Sequence, residues 1–335
     1  MPGAVGRIWS WIKWPAALAL VAFLFYRYRA ELSEFSTQQK DWRFLWGALI
    51  LCSTGMIVTI VRWHLLVWAL DIPFRMRDAF RLSFMGMLLN YAGPGLVGGD
   101  MFKGLFIARE QKSRKAVAAA TVLLDRVLGL LSLFLLGSIA TMLLRNPPRS
   151  GLHTAIFWTL WGGSAAGIAG LVILLQPALT RWSWIRKLGN LPYVGRIMVD
   201  VLNGITLYQS KPRVLVLATL LGIASHTALI SGFYCCALGL GGWAPDLITH
   251  LYFMPAAEVV GLLPTPMGIG PLEWAISEAY GSASSGQVSS EAAKAAGLFA
   301  TIAFRVVNLL IASTGALCFL PAWKEVGVVL QEVKK

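Results

Sequence analysis

Asn90-Tyr-Ala-Gly-Pro-Gly-Leu-Val-Gly-Gly-Asp100 and Leu263-Pro-Thr-Pro-Met-Gly-Ile-Gly-Pro-Leu-Glu273 are the two stretches that decide how this chain reads. Both lie inside apolar regions, and both are too rich in Gly and Pro to continue a helix. Each closes on a carboxylate that opens a new apolar run. Each is followed by a long apolar helix carrying one Arg, Arg126 in the first case and Arg305 in the second. In a bilayer, non-helical backbone persists only where protein or a wet cavity satisfies its polar groups. Two such breaks in corresponding positions of two halves point to a transporter-type site.

Composition sets the class. The chain has 335 residues of which 13% are charged, about half the share usual in a soluble domain (roughly 25%). Its mean hydropathy is +0.66. Several apolar runs reach the roughly 20 residues needed to span a bilayer. The expected fold is an all-α polytopic membrane protein, a single integral domain over 1–335 with no segment polar enough to form a separate soluble domain. The net charge of +13 does not indicate nucleic acid. The basic residues sit mostly in short loops between apolar runs, where they orient the protein and meet anionic headgroups. Cys52, Cys235, Cys236 and Cys318 fall within apolar runs, and the four His residues are scattered. Neither pattern is a disulfide framework or a metal site, so no metal and no cofactor is expected.

Along the chain, the apolar run Trp14 to Tyr26 is followed by Arg27 and Arg29 instead of a small-residue cleavage site, and reads as a retained span. Further spans are expected at Phe44–Val61, Ala116–Leu144, Thr154–Leu175, Val214–Leu240 and Ala295–Leu320. Residues 62–81 read as a mixed cytoplasmic segment. The two interrupted stretches read as re-entrant helical hairpins, giving six full spans and two hairpins. Residues 176–213 are polar but carry Val194, Ile197, Met198, Val201, Ile205 and Tyr208 at helical spacing, which suits an amphipathic cytoplasmic linker helix. With both termini in the cytoplasm, cytoplasmic segments hold 20 Lys or Arg and outer segments seven, as the positive-inside rule requires. The first hairpin then enters from the cytoplasm and the second from outside. Span, hairpin and Arg-bearing span over 44–144 recur upside down over 214–320, an inverted repeat.

Several residues are candidates for chemistry. Gly98, Gly99 and Asp100 open a half-helix, and Gly268, Gly270 and Glu273 follow the same plan. The carboxylates suit helix N-termini, where they cap free N–H groups. The same free N–H groups favour an anion such as a lipid phosphate. Arg126 and Arg305 are costly inside a membrane and usually mark a pathway, and the planar guanidinium matches phosphate. Internal salt bridges, Arg126 with Asp100 and Arg305 with Glu273 or Glu258, are the alternative role, and both roles stand if a headgroup exchanges with the carboxylate. Lys103 and the basic cluster behind it set topology and gather anionic headgroups. Glu258 is a candidate for ion coupling, and His250 is expected at the outer interface.

The ordered set Asn90, Pro94, Gly95, Gly98, Gly99, Asp100 and Lys103, then Asp125-Arg126, then Pro264, Pro266, Gly268, Gly270 and Glu273, then Arg305 and Asn308, resembles the lysylphosphatidylglycerol synthase transmembrane-region family, also called flippase-like. The resemblance covers roughly Phe44 to Leu320. It implies a polytopic protein that moves phospholipid across the membrane. The soluble aminoacyl-transferase domain of the synthases is missing from this sequence. Lys103 stands where the family usually has Arg, and Met267 and Pro271 also depart from its pattern.

The function expected is therefore translocation of an anionic phospholipid or lipid-linked precursor across a prokaryotic cytoplasmic membrane, without enzymatic activity. Membrane lipids are the expected partners, and a lipid-modifying enzyme is a further candidate. No phosphate-binding loop of the Gly-x-x-x-x-Gly-Lys-Ser/Thr kind is present, so movement is expected to be passive, ion-coupled or drawn by metabolism on one side. The competing readings are a membrane-embedded lipid or glycolipid transferase and a non-transporting partner of a lipid-modifying enzyme. The first lacks a cluster of paired carboxylates or His residues for acid–base work. The second requires Arg126 and Arg305 to be dispensable.

Overall fold

The computed structural model describes residues 26, 39–92, 99–100, 103–104, 106–107, 115–144, 151–176, 204, 206–263, 269–284 and 286–317. Among them it is all helical: α1 Trp42–Trp68, α2 Met76–Ala92, α3 Lys115–Leu143, α4 Gly151–Leu175, α5 Pro212–Gly239, α6 Leu247–Gly261, α7 Pro271–Ala283 and α8 Ser290–Leu317. Residues 99–100, 103–104 and 106–107, which follow α2, are also helical and are termed the return arm. Helices α1, α3, α4, α5 and α8 are long and apolar enough to cross a membrane. Their outward faces carry large apolar side chains, among them Trp46, Ile50, Trp158, Leu220 and Leu310. A surface of that kind belongs in lipid. The chain is an integral membrane protein.

Local sequence sets the helix ends. Asp41 caps α1 by accepting the Arg43 N–H at 2.9 Å, and its own N–H reaches the Gly239 carbonyl at 2.9 Å. Pro212 occupies the first turn of α5, where its missing N–H costs nothing. Asp246 caps α6 through the Thr249 N–H at 2.8 Å. At the other end of α1, Tyr208 donates to the Leu66 carbonyl at 2.7 Å. Burial, and then the charge of Asp125, push that phenol above its ordinary pKa, so it stays a donor.

Helices α1 and α5 form an antiparallel seam through the middle of the molecule. Asp41 lies by Gly239, Cys52 by Gly232, Gly55 by Ser225 and Arg62 by Gly222. A Cβ on Gly232 would sit 2.5 Å from the Cys52 sulfur, and one on Gly55 would sit 2.9 Å from the Ser225 carbonyl. These glycines let the two backbones approach, as small residues do between membrane helices. Thr59 and Ser225 share a hydrogen bond across the seam at 2.7 Å.

Two helical hairpins flank the seam. In the first, Gly86 of α2 lies against Gly99 and Lys103, and Arg81 lies over Phe106, so α2 and the return arm run antiparallel. In the second, Gly261 lies against Leu272 and His250 bonds Tyr280, so α6 and α7 do the same. The hairpins cross over: α2 packs on α8, and α6 packs on α3.

Two expectations are corrected. Arg62 does not lie in a loop, and the connection between α1 and α2 is only 69–75. Helix α1 continues through Arg62 to Trp68 and α2 begins at Met76, because the Arg62 charge is met inside the protein. His250 is not an interface residue. It is fully buried among Phe233, Tyr234, Phe253 and Tyr280. The expected span 14–26 lies outside the described residues apart from Tyr26, as does most of the amphipathic stretch 176–213.

Candidate functional site

The site is built from charges that the hairpins bring onto α1, α3 and α8. In the first half, the Asp100 carboxylate of the return arm pairs with Arg126 of α3, and Lys103 lies 3.5 Å from the same carboxylate. Asp125, next in sequence to Arg126, projects elsewhere on the helix. Its Oδ1 accepts from Arg62 Nε at 2.8 Å, and its backbone carbonyl accepts from the same guanidinium at 3.2 Å. Arg62 is only 5% exposed and Asp125 13%.

The sequence prepares a seat for that guanidinium. Gly129 lies one turn beyond Asp125 on α3, and Gly222 faces it from α5. A Cβ on Gly129 would lie 3.1 Å from one terminal nitrogen of Arg62, and one on Gly222 would lie 3.0 Å from the other. Ser132 completes the wall, donating to the Leu128 carbonyl at 2.7 Å or the Thr219 carbonyl at 3.0 Å. His226 lies one turn beyond Gly222 on the same helix. Among the described residues, Arg62 Nη1, Trp63 Nε1 and His226 Nδ1 are buried without a hydrogen-bond partner.

The second half uses a tighter form of the same pairing. Gly270 has φ of 96°, a left-handed conformation that favours glycine. Pro271 follows at the first helical position. Glu273 Oε2 then accepts the Gly270 N–H at 2.7 Å, while its Oε1 accepts from Arg305 Nε of α8. Glu273 is thus cap and counter-ion together, and it is buried. Asn308, one of the residues carrying the resemblance, donates to the Phe304 carbonyl at 2.9 Å within its own helix.

Of the residues singled out in the sequence, Asp100, Lys103 and Arg126 come together in one cluster, and Gly270, Glu273 and Arg305 in another. Gly99 is buried where the return arm meets α2. Gly98 and Gly268 lie outside the described residues. Glu258 joins neither cluster: it is half-buried on α6, and Arg305 pairs with Glu273 instead. Sequence reasoning missed Arg62 and Trp63. The available signal was Asp125, an unexplained carboxylate in an apolar run that needed a cation from another helix.

The model of the lysylphosphatidylglycerol synthase TM region matches residues 11–313. The chain belongs to this family. The match reaches beyond the stretch from Phe44 to Leu320 on its N-terminal side and takes in the two hairpins, Asp125-Arg126 and Arg305. No curated protein and no solved structure matches the chain. Among the described residues, each of the carboxylates Asp100 and Glu273 is tied to the Arg of the long helix that follows it.

Proposed function

We propose that this family member moves an anionic phospholipid or a lipid-linked precursor across the cytoplasmic membrane of a prokaryote. The headgroup passes between the two hairpins while the acyl chains stay in the bilayer. The observation that carries this reading is the pair of carboxylate–Arg contacts, Asp100 with Arg126 and Glu273 with Arg305, both Arg residues on long apolar helices, with Arg126 the more exposed of the two cations. A charge there costs at least about 2.5–3.5 kcal/mol to insert. Two ion pairs on hairpin arms form a set of exchangeable contacts, because a headgroup phosphate competes with each carboxylate for its guanidinium. The N-terminal end of α7, at Gly270, favours the same anion, and the sequence plan extends that expectation to Gly98, Gly99 and Gly268.

The reciprocal packing of α2 on α8 and α6 on α3 supports an inverted repeat of 44–144 and 214–320 about the α1–α5 seam. In that arrangement the site lies near the midplane and access alternates by movement of one half against the other. Both termini then face the cytoplasm. The protein acts as a transporter and not as an enzyme, and Glu258, whose carboxylate has no ion pair or hydrogen bond among the described residues, serves as the coupling group.

Reconstitution tests the reading. Purified protein in vesicles is supplied with headgroup-labelled anionic lipid, and a membrane-impermeant quencher reports movement between leaflets. Arg126→Ala and Arg305→Ala, checked for folding, are each expected to slow movement at least about tenfold, the loss of roughly 1.4 kcal/mol of headgroup interaction. Unchanged movement in both variants would reduce the Arg residues to structural ion pairs.

A further inference from the structure

Helices α1 and α8 run side by side without closing on each other over part of their length. The gap is an open groove of about 330 Å³. One wall is Trp42, Leu45, Trp46 and Leu49 of α1, and the other runs from Ala303 through Val307 to Leu310 of α8, both at i, i+3, i+4, i+7 spacing. Leu240, the residue that ends α5, lines it as well. Every lining side chain is apolar or aromatic. Val307 is buried at the floor, while Trp42, Trp46, Val306 and Leu310 stand exposed along the rim.

The place of the groove decides what fills it. Both helices are long and apolar enough to cross a membrane, so the groove opens to lipid tails and not to water. Left empty, its lining would forfeit dispersion contacts. A helix is too large an occupant: at about 10 Å across it would need roughly 800 Å³ over the ~10 Å rise from Trp42 to Leu49. The two helical walls offer four residues each, few beside the roughly 20–30 a side of a stable protein interface. A single acyl chain is narrow, unbranched and as apolar as the Leu side chains it would meet. One end of the groove also carries charge. Lys40 Nζ donates to the Leu240 carbonyl at 3.0 Å, which sets an ammonium at the Leu240 end. Arg43 is exposed in the first turn of α1, on the same turn as Trp42 and Trp46. Exposed Trp beside basic side chains marks the headgroup level of a bilayer, and phosphate is the complement of both cations.

We infer that the α1–α8 groove holds one acyl chain of a phospholipid whose phosphate lies at Lys40 and Arg43. It is a lateral lipid site apart from the two hairpins, and it stands whether or not the chain moves lipid.

Photolabelling tests it. The purified full chain is placed in vesicles with phosphatidylglycerol that carries a diazirine in one acyl chain, irradiated, and its adducts are mapped by peptide mass spectrometry. Adducts on 42–49 and 303–310 are expected at least about threefold above those on Trp158, Val172 and Ile173, exposed apolar residues of α4. Val306→Trp and Leu310→Trp, both at exposed rim positions, are each expected to lower the groove adducts to the α4 level with the unfolding midpoint unchanged. Diacylglycerol with the same photoreactive chain and no phosphate is expected to label the groove no more than α4, and Arg43→Gln to bring phosphatidylglycerol down towards that level. Adducts spread evenly over the groove and α4 would overturn the inference, as would equal groove labelling by the two lipids. So would a benzophenone on Trp46→Cys, in a cysteine-free background, that joins a second copy of the chain or residues 14–26 instead of lipid. A chain that labels here and fails in the vesicle assay keeps this site and loses the transport reading.

Discussion

Asp125 and Arg126 stand side by side in the sequence and take opposite directions in the fold. One step along a helix turns the side chain by about 100°, so the carboxylate meets Arg62 across to α1 while the guanidinium meets Asp100 on the return arm. The Arg62–Asp125 pair is enclosed, so removing one partner leaves an uncompensated charge. Asp125→Ala is expected to cost about 3–5 kcal/mol, read as a lowered unfolding midpoint in detergent. The double variant Arg62→Met with Asp125→Leu is expected to recover most of that loss, since a buried ion pair contributes little beyond an apolar pair of similar volume. Full loss in the double variant would mean that the pair does more than neutralise itself.

The elements depend on glycine at two kinds of position. In the α1–α5 seam the need is for space: Gly232 faces the Cys52 sulfur, with 2.5 Å left for a Cβ. Gly232→Val is expected to destabilise by about 1–3 kcal/mol through overpacking, measured by denaturant titration of the purified protein. At Gly270 the need is for backbone conformation, with φ of 96° and no N-cap side chain. Gly270→Ala places a Cβ in a left-handed turn at a cost of about 1–2 kcal/mol. It also disturbs the N–H that holds Glu273 Oε2 at 2.7 Å, so headgroup movement in vesicles is expected to fall more than stability does. Helix α6 stays continuous across Pro255, which lies against Gly137 of α3.

At the scale of the molecule, the proposed inversion of the two halves assigns the loop before α8 to the outer face and the turn between α1 and α2 to the cytoplasm. On a cysteine-free background, Gln287→Cys is expected to react with an impermeant maleimide in intact cells. Asp71→Cys, at a side chain 89% exposed, is expected to react only after permeabilisation. The opposite pattern would invert the topology and with it the side from which each hairpin enters.

Much of this architecture was legible along the chain. Apolar length located the spans, because a bilayer demands it. Helix α2 runs through Asn90 to Ala92, into the stretch read as the first break, and 93–98 and 264–268 lie outside the described residues. Asp100, Glu273, Arg126 and Arg305 stood out because charge inside apolar runs is costly and needs a reason. The reading failed at Arg62. The four Arg residues of 62–81 look alike in sequence, and a positive residue at the end of an apolar run is ordinarily topogenic.

The sequence by itself determined the class of protein, the two hairpins and the charges they carry, since each follows from local composition and helix chemistry. Only the tertiary structure decided which charges meet. Arg62 finds Asp125 across 63 positions of chain, Arg305 takes Glu273 and not Glu258, and Lys103 shares a carboxylate that Arg126 already holds. Pairing is a matter of distance and direction between helices, and the order of residues does not specify it until the helices have packed.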